Sequence, residues 1–153
     1  MRKILVAGNW KMHGSKSMVR SLLDGLLAGS SAQGKADLAV FPSFPYLSLA
    51  ESILSGSHIQ WGGQTLNPNA QGAHTGETSG NMLVDMGCRY VLVGHSERRS
   101  IYGESDEDVA TRFKAAQDAG QLFLLKPVSR QVFYPSARPA LQMPALRQQP
   151  PSL

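Results

Sequence analysis

"RYVLVGHSERRSIYGES", residues 89–105, passes from an apolar run into Gly94 and then directly into His95, Ser96, Glu97, Arg98 and Arg99. A continuous apolar run closed by polar residues describes a strand buried on both faces, as in a parallel sheet covered by helices. In such sheets the functional groups collect where the strands reach their carboxyl ends. The stretch therefore suggests both the class of the fold and the end of the sheet where chemistry belongs.

Upstream the same unit recurs. "KILVAGNW" (3–10) reads as a strand, followed by Met18, Val19, Leu22, Leu23, Leu26 and Leu27 at helical spacing, with Ser15 or Ser17 as the cap and Gly29 as the stop. "DLAVFPS" (37–43) is a second strand, and "YLSLAESIL" (46–54) a short helix begun beside Pro45. "HIQWGGQ" (58–64) is a third strand, then a Gly-rich loop to about Gly76 and a helix near 79–86. The quoted strand is the fourth, and "SDEDVATRFKAAQDAG" (105–120) predicts a fourth helix, with Ser105 as N-cap, acids in its first turn and Gly120 past its end.

Strands alternating with helices give an α/β class with parallel strands. A doubly wound sheet and an eightfold (β/α)8 barrel both accommodate that pattern. The unit length leans towards the barrel: about 30 residues per unit, repeated eight times, gives roughly 240, near the ~250 typical of that fold. Residues 1–120 are then about four βα units, half a barrel.

After Gly120 the composition changes. "LFLL" (122–125) offers the start of a fifth strand, but residues 121–153 hold six of the nine prolines, none of the 15 glycines and no acid. Proline removes backbone donors and obstructs regular pairing, so an irregular or disordered tail is expected. The net charge of +4 also resides there: 11 Lys and Arg balance 11 Asp and Glu through Gly120, leaving Lys126, Arg130, Arg138 and Arg147 unopposed. A basic tail of this kind gives little support to nucleic-acid binding by the folded part. The break suggests a shift of reading frame near residue 121.

Other classes are set aside in the same way. The apolar run Ile4 to Gly8 is cut by Asn9 and Lys11, too soon for a secretory segment, and no stretch approaches the roughly 18 apolar residues of a membrane span. The chain reads as cytoplasmic. The single cysteine, Cys88, forms no intrachain disulfide, shows no metal-site or redox spacing, and suits a small buried hydrophobe.

The residues that end each apolar run are the chemical candidates: Asn9 and Lys11 after the first strand, Gln64 and the loop to Glu77 after the third, His95 and Glu97 after the fourth. Each has a plain alternative. A lone lysine is more often a solvated charge, a lone histidine more often a hydrogen-bonded structural residue, Asn9 could bond loop backbone, and Arg98 with Arg99 could be a surface pair. Together they describe something more specific. A histidine opening a short helical "SERRS" segment is disfavoured as a cation by the helix N-terminus, so it would act as a neutral donor. A neutral donor beside a lysine suits an anionic substrate and the enediolate formed when a proton leaves carbon next to a carbonyl.

"AGNWKM" (7–12), "GAHTGETS" (72–79) and "YVLVGHSERRSIYGESDEDV" (90–109) resemble the triose-phosphate isomerase family in order and spacing, over about residues 2–120. The resemblance implies an eightfold barrel acting as a homodimer, without metal or organic cofactor. It implies interconversion of dihydroxyacetone phosphate and glyceraldehyde 3-phosphate, in glycolysis and gluconeogenesis. The pairing of a base with a neutral histidine electrophile and a closing loop is the worked mechanism for that enzyme. By motif, Asn9 and Lys11 resemble the substrate-binding pair, with Lys11 offsetting the phosphate and enediolate charge. His95 resembles the electrophile, Ser96 and Glu97 its polar support, and Thr75 the tip of a loop reaching into the partner subunit. Gly72 and Gly76 read as turn residues with positive φ.

The sequence departs from the family at His13, where Asn is common, and at His74, where an aromatic is usual. It contains no "EPVWAIGTG"-like string and no Gly-Gly phosphate loop after Gly120, so no catalytic base is found by motif. General base catalysis is worth about 10² to 10⁴ in rate, which sets the scale of what its absence removes. The readings in contention are an isomerase chain with an incomplete site, an inactive truncated or frameshifted fragment that pairs with full-length subunits, and a phosphate- or nucleic-acid-binding module using the tail. The last is weakest, because the tail offers only Phe133 and Tyr134 for stacking.

Overall fold

The computed structural model describes residues 4–31, 34–120 and 123–125. Five parallel strands lie in sequence order, β1 (Ile4–Asn9), β2 (Ala36–Phe41), β3 (Ile59–Gly63), β4 (Tyr90–Leu92) and β5 (Phe123–Leu125). Between them run α1 (Lys16–Gly29), α2 (Leu47–Leu54), α3 (Gly80–Asp85), α4 (Ser96–Tyr102) and α5 (Asp106–Asp118). Strands that never leave sequence order, each adding on the same side of the last, build the wall of a barrel; a doubly wound sheet would reverse direction at a switch point. No helix among the described residues is long and apolar enough to cross a membrane.

The two faces of this wall differ as the pleat requires. Leu38 and Val40 of β2, Val91 of β4 and Val93 just past it pack with α1 and α2 residues, including the fully buried Val19, Leu23, Leu47 and Leu54. Each such leucine removed from water is worth about 1.5–3 kcal/mol, which holds the helices on the sheet. On the other face, Leu5, Ala39, Phe41, Tyr90 and Leu92 form a cluster made of strand residues alone. The Phe41 and Tyr90 rings stand 6.4 Å apart at 57° within it. That helix-free face is the inner side of the wall. It is shallow at the β1 edge, where Ala7 and Gly8 are exposed and Ile4 is 65% exposed.

The local signals act as the sequence suggests, with several corrections. Ser15, not Ser17, caps α1, its hydroxyl accepting from the Met18 N–H. Gly29 is the last residue of α1, and Ser30 follows as its C-cap, its hydroxyl donating to the Leu26 carbonyl. Phe44–Tyr46, including Pro45, form a 3-10 turn before α2 begins. Ser105 closes a reciprocal capping box with Asp108 at the start of α5. "SERRS" extends into a full helix, α4, ended by Gly103 in the left-handed region. After the four strand–helix units the fifth strand offered by "LFLL" forms: β5 pairs with β4 through Tyr90–Phe123, Val91–Leu124 and Leu92–Leu125, five residues past the boundary drawn at Gly120. The remainder of the tail, including its expected irregularity and frame shift, lies outside the described residues.

Candidate functional site

At the carboxyl end of the wall, β1 delivers Asn9 and then Lys11. The Asn9 side chain accepts the Lys11 N–H at 2.9 Å, a turn closed by Asn hydrogen-bonding the backbone two residues on. Lys11 has φ of 52°, the only positive value among the described non-glycine residues. A long side chain in the left-handed region carries a cost of order 1–3 kcal/mol and persists only where its surroundings fix it. Here the Lys11 carbonyl accepts from Ser43 Oγ at 2.7 Å and from Gln64 Nε2 at 2.8 Å.

β4 delivers His95 through a tight bend. Gly94 has φ of 70°, and a Cβ there would stand 2.9 Å from Val109 of α5, so both backbone and packing call for glycine. His95 is buried, and its Nδ1 caps α4 by accepting the Glu97 N–H at 3.2 Å. A ring nitrogen that accepts is unprotonated, so in the neutral imidazole the proton sits on Nε2. The side chain thereby presents an N–H donor on the nitrogen that the cap leaves over.

Glu97 joins the two strands. One carboxylate oxygen accepts from the Lys11 ammonium, and the other lies 3.7 Å from His95 Nδ1. The hydrogen bond from Lys11 holds the Glu97 carboxyl below its ordinary range, burial opposes this, and the charges of Lys11 and then His95 add to the lowering. The first and fourth strands therefore meet around one carboxylate, with an ammonium and an imidazole on the same patch. Such a patch combines a cation to hold an anion with a donor for a neighbouring oxygen.

Asn9, Lys11, His95 and Glu97 are thus brought together. Ser96, the exposed first residue of α4, and Thr75, exposed on the loop between β3 and α3, add no hydrogen bond to that group. The loop bearing Thr75 is pinned at its base, where the Asn67 N–H donates to the Thr78 carbonyl at 2.8 Å and Asn67 Nδ2 to Glu77 at 3.1 Å. Gly72 and Gly76 both have positive φ, as their turn roles require.

One reading is corrected, that of Arg98 and Arg99 as a surface pair. Glu104 is 8% exposed, and its Oε1 accepts from Arg98 Nε at 2.5 Å with Arg112 Nε 3.2 Å away. Arg98 consequently belongs to a partly buried ion cluster and lies over the Tyr102 ring at 5.3 Å, whereas Arg99 pairs with the exposed Asp106. Ser43 was not foreseeable as a support for Lys11, since a lone serine after a strand gives no signal; Gln64 was visible only as the polar residue ending the third strand.

The chain matches the family model described as triosephosphate isomerase over residues 4–125. It is 53% identical over 120 residues to the triosephosphate isomerase of Dechloromonas aromatica, covering 78% of this chain and 48% of that protein. It is 49% identical over 113 residues to that of Nitrosomonas europaea, covering 74% and 45%. The crystal structure of triosephosphate isomerase from Bartonella henselae superposes with a TM-score of 0.73 at 35% identity, over 80% of this chain and 51% of that one. The chain thus spans about half the length of the curated relatives it matches.

Proposed function

For a chain that belongs to the triosephosphate isomerase family, we propose that the Lys11–His95 patch is the substrate-gripping half of an aldose–ketose isomerase site taking a triose phosphate. The reaction served is the interconversion of dihydroxyacetone phosphate and glyceraldehyde 3-phosphate, in the cytoplasm as part of glycolysis and gluconeogenesis.

The observation that supports this most is the cap at His95. By accepting the Glu97 N–H at Nδ1, the ring keeps its proton on Nε2, the arrangement needed to donate to substrate oxygens as negative charge develops on them. Lys11 supplies the cation for the phosphate and the enediolate, and Asn9 holds the Lys11 backbone while offering a polar group to the substrate. Glu97 sets the Lys11 ammonium in place until an anion competes for it. Ser96 serves as supporting polarity, and Thr75 as the tip of a loop that approaches a partner subunit in a homodimer.

Proton transfer between the two substrate carbons needs a carboxylate base, and no glutamate of this sequence stands in the family's base motif. A positioned base contributes about 10² to 10⁴ in rate, so the chain alone binds the substrate and turns it over weakly or not at all. A coupled isomerase assay on the purified chain, with phosphate titration followed by NMR at Lys11 and His95, tests this. Perturbation of both residues by phosphate with little turnover is expected; no perturbation at either residue rejects the reading.

A second reading, a subunit fragment that pairs with full-length chains, draws on the exposed rim. Ile4 at the β1 edge is 65% exposed and Met12 beside the lysine is 92% exposed. An unpaired strand edge with apolar residues is a template for association. Size-exclusion chromatography with and without a full-length family enzyme tests it: co-elution is expected, and separate elution at micromolar concentration rejects it.

A further inference from the structure

Lys11 combines an uncommon backbone with a demanding task, and any role for its neighbours rests on Lys11 being the anion holder of the proposed site. Its carbonyl accepts from two side chains, Ser43 Oγ at 2.7 Å and Gln64 Nε2 at 2.8 Å. The same Gln64 nitrogen donates to the Phe41 carbonyl at 2.8 Å. A primary amide carries two hydrogens, and here each goes to a carbonyl of a different segment. Phe41 ends β2, Lys11 follows β1, and Gln64 follows β3. One side chain from the third strand therefore ties the left-handed residue after the first strand to the end of the second.

We propose that Gln64 is a positioning residue, whose two amide hydrogens fix the Lys11 carbonyl against the end of β2 and so keep the Lys11 ammonium aimed at Glu97 and the anion. Ser43 is the second pin on the same carbonyl. The geometry demands an amide: a carboxylate of the same length only accepts, and faces two other acceptors.

Gln64→Met on the full chain is the test, because methionine keeps the length and removes both donors. The two carbonyls keep one partner each, Ser43 Oγ for Lys11 and the Trp10 N–H, at 3.0 Å, for Phe41. Carbon-13 NMR reads the Glu97 carboxyl through a pH titration and the Lys11 backbone shifts, with a thermal melt on the same sample. The expected result is a folded protein in which the Glu97 midpoint rises towards its ordinary value and the Lys11 shifts leave the left-handed range. A lowered melting temperature with both NMR signatures unchanged makes Gln64 a scaffold residue and overturns the proposal.

Should Gln64→Met fail to fold, Gln64→Leu, which likewise removes both amide donors, carries the same readout. Unchanged Glu97 and Lys11 signals in the folded Gln64→Leu protein also overturn it. Titrating the unmutated chain with inorganic phosphate separates the two ideas: if Lys11 and His95 do not respond, the substrate reading fails while the Glu97 measurement still decides the role of Gln64.

Discussion

Glu97 stands between Lys11 and His95, one carboxylate oxygen accepting from the ammonium and the other 3.7 Å from the imidazole Nδ1. The contact ties the carboxyl ends of the first and fourth strands, 86 residues apart in sequence. It also gives the site a pH dependence of definite sign. The Glu97 carboxyl is lowered from 4.5, with the Lys11 hydrogen bond as the largest cause. A group whose folded value is depressed contributes stability above its unfolded value, and the contribution is lost as pH falls through the folded one. The Lys11–Glu97 pair therefore persists down to pH 4.5 and comes apart only below it. Because Glu97 is 40% exposed, solvent screening keeps the effect on global stability small, so the titration itself is the measurement. A Glu97 carboxyl midpoint above 4.5 by carbon-13 NMR contradicts this.

Glu104 gives a stability prediction of a different size. Its side chain is 6% exposed and serves Arg98 and Arg112, which are 29% and 16% exposed. Removing one member of a buried ion cluster leaves the others uncompensated, at about 3–5 kcal/mol. Arg112 Nε lies near Glu104 Oε1 without an aligned hydrogen bond, and Glu104 Oε2 is without a partner, so this contact is a charge interaction more than a directional one. That places Glu104→Ala at the lower end, about 3 kcal/mol by urea denaturation. A loss below about 1 kcal/mol, the ceiling for surface pairs, contradicts the buried-cluster account.

Gly62 tests the close approach of β3 to β4. An added Cβ would lie 2.2 Å from the Tyr90 carbonyl oxygen and 2.8 Å from the Phe41 ring. Gly62 is paired with Tyr90 in the sheet, so the strands cannot part without losing that register. Overpacking of this kind costs typically 1–3 kcal/mol, and the involvement of backbone puts Gly62→Ala at the upper end. Gly25→Ala, where the added Cβ meets nothing within 4 Å, is the control and is expected to be neutral or slightly stabilising. Equal melting temperatures for the two variants contradict the crowding seen between β3 and β4.

The parallel strand–helix order was readable because buried strands such as "YVLV" show no alternation while helices such as α1 repeat their leucines every three or four residues. The choice between barrel and open sheet was not, since periodicity carries no information on which strand lies beside which; the order β1-β2-β3-β4-β5 supplies it. At the site, Lys11 and His95 were legible as polar residues ending apolar runs. The Glu97 bridge, the Ser43 and Gln64 pins on Lys11 and the burial of Glu104 depend on contacts distant in sequence, which no local pattern encodes. The third β-segment illustrates both sides: "HIQWGGQ" announces a strand, but nothing in it says that its final glutamine reaches back to the first.

Cys88 offers a check on the packing under α3. It is 3% exposed, and burial, with a smaller contribution from Glu51, pushes the thiol up to about 12. The thiolate is the reactive form, so at pH 8 the native protein holds almost none of it and shields what it holds. An aromatic disulfide reagent is expected to leave Cys88 unmodified over hours in buffer and to react fully within minutes in denaturant. With burial as the main cause, the native reaction goes through local or global opening, so its rate follows stability: Glu104→Ala should accelerate labelling in proportion to its loss of stability if opening is global. Rapid labelling of the unmutated chain in buffer contradicts a closed core at this position.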